Sequence, residues 1–224
     1  MCEVLTVSWP EPHSFTEIAG WARLIEHYGQ GHFGWGVAWV DDGAVHHYRD
    51  PGRMTADSDG LDFLATVSSN RFLVHFRRPS KLSTIGLPDT QPFLADDRTL
   101  AFVHNGGFAL EREYRPDYVD RLAGKADSEL GWVMLQDLLE TGVSLPDGLA
   151  MIHAKLGGSA NLVTLDNEGT FVAYCGYPGN RFWRFRLDGA EMAATQLHSA
   201  DDSLFDLVFT GATDRSTFEG ALVL

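Results

Sequence analysis

Hydrophobic and polar residues alternate along several short segments of the chain, which is typical of β-strands with one buried face. The clearest pair, 33–40 and 44–49, flanks Asp41-Asp42-Gly43 and predicts a β-hairpin with a glycine-containing turn. The long irregular stretch after residue 76 contains several prolines, and loops of that length are often functional. Strands are predicted at 2–9, 33–40, 44–49, 71–76, 99–103, 160–166, 170–175, 181–187, 191–198 and 205–210.

Other segments have the hydrophobic spacing and the end signals of helices. Ser14 and Glu17 form a capping-box pattern that opens a helix reaching about Tyr28. Segment 127–140 has an acidic start, with Asp127 or Ser128 as its expected cap, and apolar positions at helical spacing. No Pro-, Gly- or Ser-rich linker divides the chain, so we expect one α+β domain over residues 1–224 with large antiparallel sheets. Two more helices are predicted at 60–69 and 147–156.

The composition of the 224 residues is that of a folded globular protein, with 44% hydrophobic and 21% charged residues. Seventeen Lys and Arg against 31 Asp and Glu give a net charge of −14, which disfavours nucleic-acid and membrane partners. Two cysteines are too few for a disulfide scaffold, and neither a secretory leader nor an apolar run of membrane-spanning length is visible. We therefore expect a cytoplasmic protein.

Several short patterns suggest cofactor or metal sites but lack the context that such sites need. The glycines of 29–34 have the G-x-G-x-x-G spacing, yet they follow a helix and precede a strand, the reverse of a dinucleotide-binding fold. A close backbone approach explains them better. Segment 57–60 lacks the remaining ligands of a calcium loop, and His46 and His47 point to opposite faces of one strand. We predict no cofactor and no metal.

Cys2 is the first candidate for chemistry. Removal of Met1 is expected when residue 2 is small, and it would leave a chain that begins with a cysteine carrying a free α-amine. The amine, with a reference pKa of about 7.7–8.0, can accept the proton of the thiol, whose reference pKa is about 8.5. Position 2 would then hold both a nucleophile and its base, although a cysteine there is also compatible with simple packing.

Three other segments supply groups that would complete such a site. Arg77 follows a predicted strand, where a guanidinium can bind a carboxylate through two hydrogen bonds or form a surface salt bridge. Segment 104–107, His-Asn-Gly-Gly, places a side-chain amide beside the N–H of a glycine, which suits an oxyanion but also an ordinary turn. Asp127 opens a helix, where its carboxylate can bind an ammonium group or cap the helix.

Taken together and in this order, these segments resemble the class II glutamine amidotransferases, whose glutaminase domains use an N-terminal nucleophile. The resemblance covers residues 1 to about 130 by motif, and by size it is greatest to short, free-standing members. It implies a four-layer αββα sandwich of two antiparallel sheets. The matching motifs are Met1-Cys2, Gly34-Trp35-Gly36, His75-Phe76-Arg77, Thr90-Gln91-Pro92-Phe93, His104-Asn105-Gly106 and Ala126-Asp127-Ser128-Glu129.

The resemblance also implies a role for each matching position. Cys2 would be the nucleophile and, through its α-amine, the general base. Asn105 and Gly106 would form the oxyanion hole. Arg77 would bind the α-carboxylate of the substrate, and Asp127 its α-ammonium. Two further residues are expected at the substrate-binding site: Ser80 and His104.

The implied reaction is hydrolysis of the γ-amide of glutamine or of a γ-glutamyl compound through a thioester on Cys2. Segment 79–82 departs from the family, which has a glycine soon after the arginine, whereas the first glycine here is Gly86. This departure leaves the natural substrate open. The alternatives are a γ-glutamyl hydrolase acting on a sulfur-containing amino-acid conjugate and a non-catalytic ligand-binding subunit with the same fold. The length of the chain leaves no room for a synthase domain beside a glutaminase domain. We therefore expect any ammonia to be released or passed to a separate synthase subunit.

Overall fold

Twelve strands form two antiparallel sheets in this computed structural model, which describes residues 2–197 and 202–224. The strands are β1 (Glu3–Ser14), β2 (Trp35–Asp41), β3 (Ala44–Asp50), β4 (Ser68–Phe76), β5 (Phe93–Leu94), β6 (Leu100–Phe108), β7 (Gly158–Asp166), β8 (Phe171–Gly176), β9 (Phe182–Leu187), β10 (Ala190–Thr195), β11 (Thr213–Thr217) and β12 (Gly220–Val223). The first sheet has the order β11-β9-β10-β1-β4-β2-β3, and the second has the order β12-β8-β7-β6-β5.

Six α-helices accompany the sheets in the described residues: α1 (Phe15–Tyr28), α2 (Ser58–Leu64), α3 (Glu111–Tyr114), α4 (Asp127–Glu140), α5 (Leu145–Leu156) and α6 (Ser203–Val208). The capping box predicted for α1 is confirmed, because the Ser14 side chain accepts from the first turn and Glu17 accepts from the Ser14 N–H. None of these helices is long and apolar enough to cross a membrane. The cytoplasmic location stays a prediction.

Three apolar clusters define four layers. Large side chains on the outer face of the first sheet pack against α1 and α6, as in the contact of Phe185 with Phe205, whose ring centroids are 5.0 Å apart. On the second sheet, Phe102 stacks against Trp132 of α4 at 5.8 Å, and α5 packs beside α4. Smaller residues fill the space between the sheets, among them Val4, Leu73, Val103, Val163, Leu165 and Ala193. The αββα sandwich is thus confirmed, and the single domain over 1–224 stays a prediction.

Some of the predicted elements differ from the structure. The strand predicted at 205–210 is wrong, because α6 covers Ser203–Val208 and buries Phe205, Val208 and Phe209, whose spacing of three and four residues is helical. The helix predicted at 60–69 ends at Leu64, and β4 already begins at Ser68. The strand predicted at 191–198 corresponds to β10, which ends at Thr195. Residue 198 lies outside the described residues. Strands β5, β11 and β12 were not predicted.

Candidate active site

A cleft of about 570 Å³ lies where the start of β1, the ends of β4 and β6 and the first turn of α4 come together. Antiparallel pairing of β1 with β4 sets Glu3 opposite Phe76, so Cys2 and Arg77 extend from neighbouring strand ends. Six of the seven residues expected at the site line this cleft: Cys2, Arg77, Ser80, His104, Gly106 and Asp127. The seventh, Asn105, hydrogen-bonds to the main chain of Cys2.

Cys2 is 8% exposed, and its thiol faces the main chain of Arg78. The Arg78 N–H donates to Sγ at 3.4 Å, and Sγ lies 3.7 Å from the Arg78 carbonyl oxygen. Burial raises the pKa of the Cys2 thiol, while the Arg78 N–H and the nearby charge of Arg77 act in the opposite direction. The thiol is therefore protonated at neutral pH and needs a base to become a nucleophile.

Asn105 belongs to a chain of buried amides that ends at Cys2. Its Nδ2 donates to the carbonyl oxygen of Cys2, and its Oδ1 accepts from Nδ2 of Asn161 at 3.3 Å. Asn161, directly opposite Asn105 on β7, also donates from Nδ2 to the carbonyl oxygen of Asn180 at 2.8 Å. The side-chain amide of Asn105 thus presents its donor end to the main chain of Cys2. Sequence reasoning missed Asn161, although a polar residue inside an apolar strand was a visible signal.

Gly106, next to Asn105, has a backbone conformation that requires glycine. Its φ is +138°, and a Cβ atom there would overlap the carbonyl oxygen of Ser159 on β7. The main chain at position 106 therefore borders the cleft with no side chain of its own. A larger residue there would disturb the close pairing of β6 with β7 at the edge of the cleft.

Arg77 is held rigidly although its side chain reaches the cleft. Its N–H donates to the Gly34 carbonyl oxygen at 2.7 Å, its carbonyl oxygen accepts from the Phe33 N–H at 3.0 Å, and its Nη2 donates to Thr84 Oγ1 at 2.7 Å. Its Nη1 is buried and has no hydrogen-bond partner in the described part of the chain. Burial lowers the pKa of Arg77, but an arginine stays charged near neutral pH. The cleft thus contains a fixed cation with an unused donor.

The glycine-rich turn 29–34 accounts for the position of Arg77. A Cβ atom at Gly31 would lie 2.5 Å from the Cβ atom of Phe76, and Gly34 has a φ of +125° while its carbonyl oxygen accepts from Arg77. The two backbones can approach this closely only because position 31 has no side chain. The expectation of a close backbone approach, rather than a nucleotide site, agrees with this geometry.

Asp127 is one of the two carboxylate residues that line the cleft. Its Oδ2 accepts from the Phe108 N–H at 2.8 Å and its Oδ1 from the Ser128 N–H at 3.0 Å. The expectation that Asp127 or Ser128 caps α4 is wrong, because the N-cap is Ala126 and Asp127 is already the first helical residue. The carboxylate instead links α4 to the end of β6.

His104 lines the inner wall of the cleft and points to the helix side of β6. Its Nδ1 is 3.1 Å from Ser128 Oγ, and its ring stacks on Phe108 with centroids 4.4 Å apart. Burial lowers the pKa of His104, so its ring is neutral near pH 7. Nε2 is buried without a partner in the described residues. Ser80, in contrast, lies exposed on the loop after β4 and lines the cleft.

Two other buried polar side chains support the site without lining it. Asp89 accepts from the N–H groups of Lys125 and Ala126, both at 2.6 Å, and so holds the segment that leads into α4. Glu3, 1% exposed, accepts from Thr195 Oγ1 at 3.1 Å, and burial raises the pKa of its carboxyl group to about 8. Neither residue was identified by sequence reasoning, because neither belongs to a local motif with a chemical signature.

Comparison with protein families gives one match that covers most of the chain. The model of the family "Glutamine amidotransferases class-II" matches residues 1–178. No curated protein matches the chain. The matched region contains all seven residues expected at the site.

Solved structures with the same fold are similar over nearly the whole chain. The glutamine phosphoribosylpyrophosphate amidotransferase from B. subtilis has a TM-score of 0.72 at 18% identity, covering 99% of this chain and 47% of that one. The allosteric regulatory enzyme of purine biosynthesis has a TM-score of 0.74 at 19% identity, with 99% and 46% coverage. A glutamine aminotransferase class-II domain protein from Silicibacter pomeroyi has a TM-score of 0.64 at 17% identity, with 100% and 98% coverage. The chain thus spans about half the length of the first two proteins, and at these identities the likeness shows the fold.

Proposed function

Because the chain belongs to the class II glutamine amidotransferases, we propose that it hydrolyses the γ-amide bond of glutamine or of a γ-glutamyl compound, with Cys2 as the nucleophile. The observation that carries this proposal is the composition of one cleft. A buried thiol, a guanidinium with an unused donor and a carboxylate line it together, beside an amide that points at the nucleophilic residue.

Substrate binding in this proposal begins with the zwitterionic end of the γ-glutamyl group. Arg77 has its Nη1 free for the α-carboxylate, and Asp127 supplies a negative charge for the α-ammonium. His104, through its buried Nε2, and Ser80, on the loop above, would contact the same end of the substrate. Two opposite charges at fixed positions orient the substrate and bring its γ-carbon to the sulfur.

Acylation follows once Met1 has been removed. The α-amine of Cys2 takes the thiol proton, and the sulfur attacks the γ-carbonyl carbon, whose π electrons move to oxygen. One N–H of Asn105 already bonds to the Cys2 carbonyl oxygen, so the second N–H of the same amide can donate to the new oxyanion together with the Gly106 N–H. The oxyanion then collapses, the C–N bond breaks, and the leaving nitrogen takes the proton from the α-ammonium.

Deacylation returns the enzyme to its starting state. The α-amine accepts a proton from water, which attacks the thioester carbonyl, and the same two donors stabilise the second oxyanion. The C–S bond breaks, the sulfur recovers a proton and glutamate is released. Ammonia formed from glutamine would be released or taken up by a separate synthase subunit.

The decisive experiment compares the purified wild-type chain with Cys2→Ala and with the matched control Cys175→Ala. Intact mass first shows whether Met1 has been removed. We expect glutamate release from glutamine or from γ-glutamyl amides by the wild type and Cys175→Ala, and a loss on the order of 10³-fold or more in Cys2→Ala. A glutamine-like electrophile should label Cys2 alone. Equal activity in wild type and Cys2→Ala contradicts the proposal, and substrate binding without turnover or labelling points to the non-catalytic subunit.

A further inference from the structure

Four exposed cationic side chains surround the cleft and come from three separate segments. Within residues 2–197 and 202–224, no carboxylate lies within ion-pair distance of any of these four side chains. Elsewhere on the surface, arginines do pair with acidic residues: Arg181, Arg184, Arg186 and Arg215. The four unpaired cations, called the cationic rim below, are Arg78, Lys81, Arg112 and Lys125.

The carboxylates that line the same cleft do not offset this charge. Glu111 is paired with Arg115, and Asp127 already accepts two main-chain hydrogen bonds. Five cationic and two acidic side chains thus line one cavity of a chain whose net charge is −14. A concave surface of one sign concentrates ligands of the opposite sign. Free glutamine, with no net charge, gains little from the rim.

The size of the cleft also exceeds what one amino acid needs. Its volume of about 570 Å³ falls within the range of roughly 300–1,000 Å³ that is typical of sites for drug-sized ligands. Arg77 is buried and Asp127 is half-buried, whereas the rim residues are exposed and so lie towards the mouth of the cleft. A group attached to the γ-nitrogen of the substrate would extend from the thiol towards that mouth.

We propose that the substrate is a γ-glutamyl amide whose leaving amine carries an anionic group. The cationic rim binds this group. The inference rests on the proposed function. The two ends of the substrate then have separate sites. The zwitterionic end is held by the inner pair of charges, and the anion on the leaving amine is held at the mouth of the cleft. Hydrolysis releases glutamate and an amine that carries the anionic group.

Two probes that differ only in the charge of the leaving amine test this proposal: γ-glutamylglycine, which has a carboxylate there, and γ-glutamylglycinamide, which is neutral. Their kcat/KM ratio is measured for the wild type, and their Kd ratio for Cys2→Ala by calorimetry. We expect the wild type to favour γ-glutamylglycine about tenfold, the scale of a few exposed charge contacts. The triple variant Lys81→Gln/Arg112→Gln/Lys125→Gln should bring the ratio close to one.

A matched control separates local binding from the overall charge of the protein. Arg23→Gln/Arg53→Gln/Lys155→Gln removes the same number of exposed cations away from the cleft and should keep the wild-type ratio. Equal kcat/KM for the two probes, or a ratio that the rim variant does not change, overturns the proposal while leaving the proposed hydrolysis intact. If neither the probes nor glutamine are hydrolysed, the proposed function fails, and the Kd ratio still decides whether the rim selects an anion.

The buried amides carry a second inference independently. The main-chain carbonyl oxygen of Asn180 can only accept, so Asn161 must turn its Nδ2 towards it. The other hydrogen of that Nδ2 then donates to Asn105 Oδ1, which leaves the Nδ2 of Asn105 facing Cys2. Asn105 and Asn161 are both fully buried, so no water replaces either contact. We infer that Asn161 is a positioning residue that fixes the amide of Asn105 with its donor towards the oxyanion.

Kinetics and a double-mutant cycle test this role, which also rests on the proposed function. Asn161→Leu keeps the volume but removes both donors, and we expect kcat to fall about tenfold, the scale of one hydrogen bond, with KM nearly unchanged. In an Asn105→Ala background, Asn161→Leu should have no further effect on kcat, because the group that it orients is gone. Thr164→Val, which removes a buried hydrogen bond from the same strand without touching Asn105, should leave kcat unchanged.

The outcomes separate the positioning role from the proposed function. If Asn105→Ala does not lower kcat, the oxyanion role of Asn105 is wrong. If Asn105→Ala lowers kcat but Asn161→Leu does not, or if the two losses are fully additive, the positioning role of Asn161 is wrong. A fall in kcat for Thr164→Val as large as for Asn161→Leu would also overturn it, because the effect would then reflect loosening of β7.

Discussion

Glu3 directly follows the proposed nucleophile in the sequence, and its carboxyl group is buried. Protonation of this group should make the stability of the fold depend on pH. Burial raises its pKa from 4.5 to about 8, so the folded chain binds this proton more tightly than the unfolded chain does. The contribution to stability is present in full below pH 4.5 and is lost as the pH rises towards 8. Glu3→Gln keeps the shape and remains neutral. We expect its free energy of unfolding, relative to the wild type, to increase steadily across that window.

Urea unfolding at a series of pH values from about 5 to 8 measures this difference. Glu140→Gln, at the exposed end of α4, is the matched control, and its difference from the wild type should stay constant. A Glu3→Gln difference that is equally constant would show that folding does not raise the pKa of the Glu3 carboxyl group.

At the same scale, the sequence indicates the residues that line the site better than the buried residues that hold them in place. Cys2, Arg77 and Asp127 each stand in a short motif. Pairing of β1 with β4 brings Cys2 and Arg77 to one cleft, and the hydrogen bond of Asp127 to the Phe108 N–H holds the start of α4 there. Asn161 has no such motif, because its role depends on the register of β7 against β6, in which it lies opposite Asn105. Register is a property of two distant segments, so the sequence shows a polar residue inside an apolar strand but not its contact with Asn105.

At the scale of elements, Asp89 joins the loop after β4 to the start of α4. Its carboxylate accepts from two consecutive N–H groups, those of Lys125 and Ala126. Asp89→Ala leaves both donors without their acceptor, at a cost of about 1–3 kcal/mol for each donor that stays buried. We expect lower stability in urea unfolding together with a higher KM for the proposed γ-glutamyl substrate, because Asp127 directly follows Ala126.

The conservative variant Asp89→Asn provides the control for this prediction. It keeps an oxygen in the same position and should recover most of the lost stability and the wild-type KM. If Asp89→Ala destabilises the chain but leaves KM unchanged, the loop does not position Asp127. If it changes neither quantity, the two hydrogen bonds contribute nothing measurable.

Prediction of elements succeeded where the local pattern and tertiary packing favour the same structure. The capping signal of Ser14 and Glu17 and the alternation around Asp41-Asp42-Gly43 were both sufficient. Segment 205–210 was misread because its short apolar run fits either a strand or a helix, and the packing of Phe205 and Phe209 against the first sheet decides for the helix. The two-residue strand β5 exists only through its pairing with β6 and has no pattern of its own.

At the scale of the whole molecule, the apolar layer between the sheets predicts that the fold unfolds as one cooperative unit. Leu165 of β7 is fully buried there and belongs to a cluster drawn from both sheets. Leu165→Ala removes apolar surface and leaves a cavity, which should cost about 2–5 kcal/mol. The lost contacts belong to both sheets. We therefore expect tryptophan fluorescence and far-UV circular dichroism to follow one common transition, at a lower urea concentration than in the wild type. Leu207 is half exposed on α6, so the control variant Leu207→Ala should shift the midpoint of urea unfolding little. Separate transitions for the two signals would mean that the sheets unfold independently.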